Sequence, residues 1–186
     1  LAFLLRRRPN LDLQVDQHDS ISDRFHLKVS PHTLQTILVI AGIACCVAMS
    51  MPQVHIVAYC ADLGYGVARG AEMLSLMLGF GIISRLVSGM IGDKIGGVGT
   101  LIIGSILQFI ALLIYIPFDG LASLYMVSAF FGLAQGGIVP SYALIVREYM
   151  PAKEAGTRVS LVLMATVVGM ALGGWMSGFI FDLTGS

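Results

Sequence analysis

Long apolar runs dominate the chain, and charged residues fall in short clusters between them. No Lys, Arg, Asp or Glu lies between Lys28 and Asp62, from Ile95 to Phe118, from Gly120 to Val146 or from Val159 to Phe181. A helix needs about 20 apolar residues to cross a membrane, and the runs lack the alternation of a lipid-facing barrel. The pattern therefore predicts an all-α transmembrane fold with five spans, at about 34–58, 70–92, 98–117, 121–146 and 158–182.

Composition and charge agree with helices that lie in lipid. The 186 residues are 12% charged, against about 25% in soluble domains, and their mean hydropathy is +0.86. The net charge of zero leaves no basic patch for nucleic acid. The predicted class is an integral, multi-pass membrane protein, and no nucleic-acid partner is expected.

The distribution of Lys and Arg predicts how the chain crosses the membrane. Nine basic residues fall on one side of the predicted spans, namely Arg6, Arg7, Arg8, Arg24, Lys28, Lys94, Arg147, Lys153 and Arg158. The opposite side has only Arg69, and Arg85 lies within predicted span two. Because basic residues accumulate on the cytoplasmic side, the N-terminal segment is predicted to be cytoplasmic and Ser186 external, in a plasma (inner) membrane.

Small residues and prolines within the spans favour close helix packing. Glycines four apart, which let helix backbones approach, occur at 132/136, 169/173 and 174/178. Pro52 and Pro140 are expected to kink or break their helices. Broken helices often border the cavity of a transporter, and a simple packing kink is the alternative.

Chemistry of other kinds has little support in the sequence. Cys45, Cys46 and Cys60 lack the spacing of a disulfide scaffold or a metal site. No span contains paired acids, a Ser with a Lys, or a His–Glu metal set, so the chain is not expected to be an enzyme. No cofactor or metal is expected.

The string GMIGDKIGG, residues 89–97, follows predicted span two. It resembles the signature loop of the major facilitator superfamily, in which Gly, then Asp with a basic residue, then Gly joins helices two and three and recurs between helices eight and nine. Gly89, Lys94 and Gly96 match this loop, and Asp93 supplies an anion that can face a helix N-terminus. Gly97 replaces the usual trailing basic residues, so the match is partial. The loop is expected to brace the other half of a transporter, and Asp93 to lack a strong partner in spans four and five.

Three further segments carry a finer resemblance: HIVAYCADLG at 55–64, GIISRLVSG at 81–89 and FDLTGS at 181–186. They resemble helices seven, eight and eleven of the monocarboxylate porter and oxalate/formate exchanger branch. The resemblance implies that residues 1–33 end helix six and form a cytoplasmic linker. Residues 34–186 would then be five helices of the C-terminal six-helix half of a twelve-helix fold, without the last helix. The missing N-terminal half becomes an expected partner.

The same resemblance implies a secondary permease that works by alternating access, by proton symport or by exchange. Arg85 occupies the place of the family's anion-binding arginine in helix eight. Its alternative role is a structural ion pair with an acid of the missing half. Span five lacks the second cation of the oxalate exchanger, so a monocarboxylate is favoured over a dicarboxylate. The other readings are a permease for a different small solute, such as a sugar or a drug, and a truncated membrane protein that transports nothing.

Four further residues are candidates for the substrate cavity. His55 and Tyr59 share a face of span one, and Gln135 and Tyr142 share a face of span four. A membrane Gln or Tyr often only bonds a neighbouring helix, which is the alternative for each. His55 could also take part in proton coupling, because imidazole titrates near neutral pH.

Overall fold

The computed structural model describes residues 30–117 and 119–184, and every regular element in them is a helix. The helices are α1 (Pro31–Asp62), α2 (Val67–Tyr115), α3 (Leu121–Gln135), α4 (Ile138–Tyr149) and α5 (Ala152–Thr184). Most of the predicted linker within 1–33, and the last two residues, lie outside the described residues. The all-helical prediction is confirmed for the part of the chain that the structure describes.

Four helical stretches are long and apolar enough to cross a membrane: α1, α2, α3 together with α4, and Lys153–Thr184 of α5. The sequence predicted five spans, and the difference lies in α2, which contains predicted spans two and three in 49 continuous residues. A straight helix of that length would reach about 70 Å, more than twice the roughly 30 Å thickness of the hydrocarbon core.

The chain reverses direction within α2, at Gly96. Its φ of 81° and ψ of 167° are not helical, and an L side chain rarely adopts this φ. The part of α2 before Gly96 runs parallel to the α3–α4 stretch, because Met77 lies against Gly132 and Gly92 against Leu144. The part after Gly96 runs antiparallel to that stretch, because Gly97 lies against Ile145 and Gly104 against Ile138. The first arm (67–95) and second arm (97–115) of α2 are therefore antiparallel.

The remaining contacts show that successive spans alternate in direction. Gln35 bonds the carbonyl of Arg158 at 3.2 Å and His55 lies 3.2 Å from the carbonyl of Gly174, so α1 and α5 run parallel. Gln53 contacts Gln135 and Gly42 contacts Tyr142, so α1 runs against α3–α4. The two ends of the described chain therefore lie at opposite ends of the bundle.

The α3–α4 stretch lies at the centre of the bundle. Of its most apolar 18 residues 61% are buried, against 28–33% in the other three stretches. It is also the predicted span that breaks. α3 ends at Gln135 and α4 begins at Ile138, two residues before Pro140, which has no N–H to continue the helical hydrogen bonds. Pro52, in contrast, lies inside the continuous helix α1.

Candidate functional site

Arg85 lies in the first arm of α2, inside the apolar stretch. At 1.5 Å per residue it is about 12 Å along the axis from Asp93 and about 20 Å from Glu72, the nearest acids of the same arm. Its side chain is exposed, between Ile82 and Leu86, which are 61% and 70% exposed. Among the described residues, no side chain forms a salt bridge or hydrogen bond with its guanidinium. The structure therefore presents a cation on an apolar outer face.

The opposite face of the same helical turns is tightly packed. Ser84 is 7% exposed, and its hydroxyl donates to the carbonyl of Leu133 in α3 at 2.5 Å. Ser88 donates to the carbonyl of Arg85 itself at 3.1 Å. A Cβ at Gly136 would lie 2.6 Å from the Cβ of Ser84, closer than side chains normally approach. The backbone around Arg85 is thus held against the end of α3.

Gln135 lies at the end of α3 and is 5% exposed. Its side-chain oxygen accepts a hydrogen bond at 2.9 Å from the amide of Gln53 in α1. The sequence analysis missed Gln53, although an amide within an apolar run was the signal that identified Gln135. The pair joins two spans in the interior, as polar side chains in membranes commonly do.

Tyr142 is placed in the core. It is 1% exposed and belongs to the main cluster of buried apolar residues, together with Phe131 and Ile138. Its ring lies 4.0 Å from where a Cβ of Gly42 would be, in α1. The predicted common face of Gln135 and Tyr142 is therefore the face that packs inside this bundle.

His55 and Tyr59 line a cavity of about 220 Å³ between α1 and α5. Asp62, Ser177 and Phe181 are also in its wall. The Nε2 atom of His55 lies 3.2 Å from the carbonyl oxygen of Gly174, in hydrogen-bonding distance. The structure brings this predicted pair together with an acid that the prediction did not include.

The hydroxyl of Tyr59 is engaged at the end of the bundle where α1 ends. It donates to the carboxylate of Asp119 at 2.8 Å, and Tyr65 donates to the backbone carbonyl of Asp119 at 3.0 Å. Two tyrosines thus hold the turn that precedes α3. Tyr59 contributes its ring to the cavity while its hydroxyl stabilises this turn.

The signature loop lies at the reversal of α2. Gly89, Asp93 and Lys94 are exposed, and in the described part of the chain Asp93 makes no salt bridge with Arg147 or Arg158. Arg158 pairs instead with Glu154 at 2.7 Å.

Glu148, at the end of α4, contacts the loop directly. Its two carboxylate oxygens accept from the backbone N–H of Gly97 at 2.9 and 3.1 Å, where the helix of the second arm begins. An anion at a helix N-terminus is favourable. Glu148 was not predicted from the sequence, although an acid beside the basic residues at this end of span four was an available signal.

The predicted residues do not form one constellation. Arg85 lies on an outer face of α2, Gln135 and Tyr142 lie inside the bundle, and His55 and Tyr59 lie in the cavity between α1 and α5. Within residues 30–117 and 119–184, no three His, Cys, Asp or Glu side chains cluster as metal ligands would.

Four long apolar stretches that alternate in direction are the architecture of a multi-pass membrane protein, and a broken central helix is common in transporters. The sequence model described as the Major Facilitator Superfamily matches residues 1–174, and the chain belongs to this family.

Relatives narrow the branch within that family. The chain is 27% identical over 138 residues to monocarboxylate transporter 13 of Rattus norvegicus and to that of Bos taurus. It is also 27% identical over 120 residues to the MFS-type transporter opdF of Penicillium oxalicum. These alignments cover 73%, 73% and 64% of the chain. The monocarboxylate-like branch expected from the sequence is therefore confirmed.

The matched segment is 32% of each monocarboxylate transporter and 28% of the fungal relative. The chain thus spans about a third of the length of the curated relatives it matches. No solved structure matches the chain.

Proposed function

We propose that the chain forms helices seven to eleven of a secondary transporter that moves a small monocarboxylate, with Arg85 as the group that binds the carboxylate. Alternating access between this half and an N-terminal half of the same polypeptide would carry the substrate. The observation behind the proposal is the exposed, unpaired guanidinium of Arg85 within an apolar stretch. The likeness to proteins named as monocarboxylate transporters supports the choice of substrate class.

The physical argument starts from the cost of that charge. Arginine at the centre of a membrane helix costs at least about 2.5 kcal/mol and is usually paired or functional. Arg85 has no acidic partner among the described residues, so a partner has to come from outside them. Its planar fork fits a carboxylate through two parallel hydrogen bonds, which a lysine cannot reproduce.

For coupling, we propose that His55 carries the proton, or that the cycle runs by exchange. Imidazole is the side chain whose ordinary pKa lies nearest neutral pH. His55 shares its cavity with Asp62 and Tyr59 of α1, and Asp182 follows Phe181 of that wall in α5.

The deciding experiment replaces Arg85 in the full-length transporter. Arg85→Lys should abolish uptake of radiolabelled acetate, propionate and pyruvate into proteoliposomes, or reduce it at least about 100-fold, because a point charge loses the two-bond grip. Protein amount and melting temperature should not change. The matched control is Arg69→Lys, because Arg69 pairs with Glu72 at 3.0 Å at the start of α2, where both side chains are half exposed.

Each other outcome has a defined meaning. Normal anion uptake by Arg85→Lys would make Arg85 structural and would remove the main support for an anionic substrate. Uptake of a neutral sugar or a drug by the wild type, with none of the three anions, would assign the permease to another solute. If the full-length protein transports nothing, the alternative of a non-transporting membrane protein stands.

The cytoplasmic position of the N-terminal linker has a test of its own. Single cysteines at positions 119 and 153, in a background without the three native cysteines, should react with an impermeant maleimide from opposite sides of sealed vesicles. Residue 153 should be labelled from the cytoplasmic side, because basic residues prefer that side. Labelling of both positions from one side would show that the orientation is wrong.

A further inference from the structure

The geometry points to Ser84 and Ser88 as positioning residues that fix the guanidinium of Arg85 through the backbone of α2. The inference rests on the proposed function of Arg85. It adds that the position of the guanidinium is determined by the packed face of α2 that contains Ser84 and Ser88, and not by a neighbour of the Arg85 side chain.

The first contact lies one residue before Arg85. The hydroxyl of Ser84 donates to the carbonyl of Leu133 at 2.5 Å, which ties α2 to the last turn of α3. That carbonyl is near the end of α3, where helix carbonyls lose their partner four residues ahead. A Cβ at Gly136 would meet the Cβ of Ser84 at 2.6 Å. The absence of a side chain at Gly136 is therefore what allows Ser84 to reach α3.

The second contact lies three residues after Arg85. Ser88 donates to the carbonyl of Arg85 at 3.1 Å. The same serine packs against Gly137, where any Cβ would collide with the Cβ and Oγ atoms of Ser88. The two serines thus hold the helical turns on both sides of Arg85 against the Gly136–Gly137 break in span four.

This support matters because the side chain of Arg85 has no other restraint in the described residues. Recognition through a planar fork depends on angle and position, and a displacement of about 1 Å can reduce a rate about 100-fold. Rotation of α2 by a few degrees would carry the long side chain of Arg85 through a larger arc than it would move the backbone. Loosening the serine contacts should therefore weaken anion binding before it weakens folding.

The test uses matched serine substitutions in the full-length transporter, with acetate, propionate and pyruvate as probes. Ser84→Ala should raise KM for the transported anion about three- to tenfold while Vmax stays within about twofold, because binding geometry is lost and the cycle is not. Ser84→Cys, whose thiol can still donate to the carbonyl of Leu133, should have a KM between those of the wild type and Ser84→Ala. The control is Ser50→Ala, at another buried serine, which bonds only Val47 of its own helix.

A second variant tests the same idea from α3–α4. Gly137→Ala should push Ser88 away and raise KM in the same way, whereas Gly79→Ala, where an added Cβ meets nothing within 4 Å, should leave KM unchanged. If Ser84→Ala and Gly137→Ala reduce protein amount or Vmax but leave KM as in the wild type, the two serines only pack and the inference is wrong. Arg85→Lys in the same assay separates the two proposals. Normal uptake by Arg85→Lys would contradict the proposed function. Loss of uptake by Arg85→Lys, together with an unchanged KM for Ser84→Ala, would contradict the positioning role alone.

Discussion

Two pairs of parallel helices hold this bundle together, and glycines allow the close approach in both. In the pair α1–α5, Gly169 lies on the backbone of Ile43 and Gly173 on that of Val47. In the pair made by the first arm of α2 and α3, Gly132 lies on the backbone of Met77 and Gly136 on Ser84. Both contacts are closer than a Cβ would permit, which lets dispersion and packing stabilise helices in lipid.

The pairs differ in what accompanies the glycines. The α2–α3 contact has an added hydrogen bond from Ser84 to Leu133, ends at a break in span four and has Arg85 on its outer side. In the α1–α5 contact, Ser50 bonds only its own helix, while Gln35 and His55 of α1 contact backbone carbonyls of α5. Under the proposed function, the α2–α3 contact positions Arg85, and the cavity that holds His55 lies between α1 and α5.

The largest expected effect concerns the close glycine contacts that both pairs of helices share. Gly132→Val and Gly173→Val should each remove most of the folded protein, because a branched side chain would meet backbone atoms that cannot move aside. Overpacking of this kind costs about 1–3 kcal/mol or more. Size-exclusion chromatography and melting temperature in detergent measure the outcome.

Gly79→Val is the matched control for both substitutions, because an added Cβ at Gly79 has open space around it. It should behave as the wild type apart from a small gain in helix propensity. Monodisperse Gly132→Val protein with an unchanged melting temperature would show that the α2–α3 contact is looser than described.

A smaller effect separates the two pairs. Gly136→Ala and Gly169→Ala should lower the melting temperature by similar amounts, since each new Cβ would meet a partner at 2.6 Å or less. The uptake kinetics should differ, because Gly136 lies against Ser84, next to Arg85. We expect Gly136→Ala to raise KM for the anion about threefold or more, as for any loss of binding geometry, and Gly169→Ala to leave it unchanged. Equal KM values for the two variants would show that the α2–α3 contact has no special part in placing Arg85.

The smallest effect is at the link between the pairs. Gln53 of α1 and Gln135 of α3 form a hydrogen bond of 2.9 Å. Interhelical bonds in membranes contribute about 0.6 kcal/mol on average, so Gln53→Ala and Gln135→Ala should each destabilise the protein slightly. A double-mutant cycle on unfolding free energy should return a coupling of about that size. A coupling of zero would mean that the two pairs are energetically independent here.

The sequence was a good guide to the spans and a poor one to their junctions. Runs without charge are long enough to require helices, so the existence of α1 and α5 followed from hydropathy, although both helices extend beyond the predicted spans of 34–58 and 158–182. The break near Pro140 followed from a missing backbone donor. Gly96 was assigned to the signature loop. The positive φ of Gly96 and the continuity of the helices on both sides of it depend on packing against α4, which no local pattern specifies.

The candidate site was only partly predictable for the same reason. Arg85 was identifiable as a charge within an apolar run. Whether Gln135 and Tyr142 face a cavity or the core depends on how α3 and α4 rotate against α1, and periodicity alone does not fix that rotation. Glu148 and Gln53 act through partners 51 and 82 residues away, and no local pattern identifies such partners.

The contact between Glu148 and Gly97 has a consequence for the order of assembly. The second arm of α2 begins without a capping side chain of its own, and the carboxylate that accepts from Gly97 comes from a residue 51 positions later. During synthesis the hairpin of α2 is therefore complete in sequence before its cap exists. A helix cap contributes about 0.5–2 kcal/mol. The reversal at Gly96 thus gains its final stability only when α4 has packed against it. Insertion of span four is therefore the step that stabilises the two preceding spans.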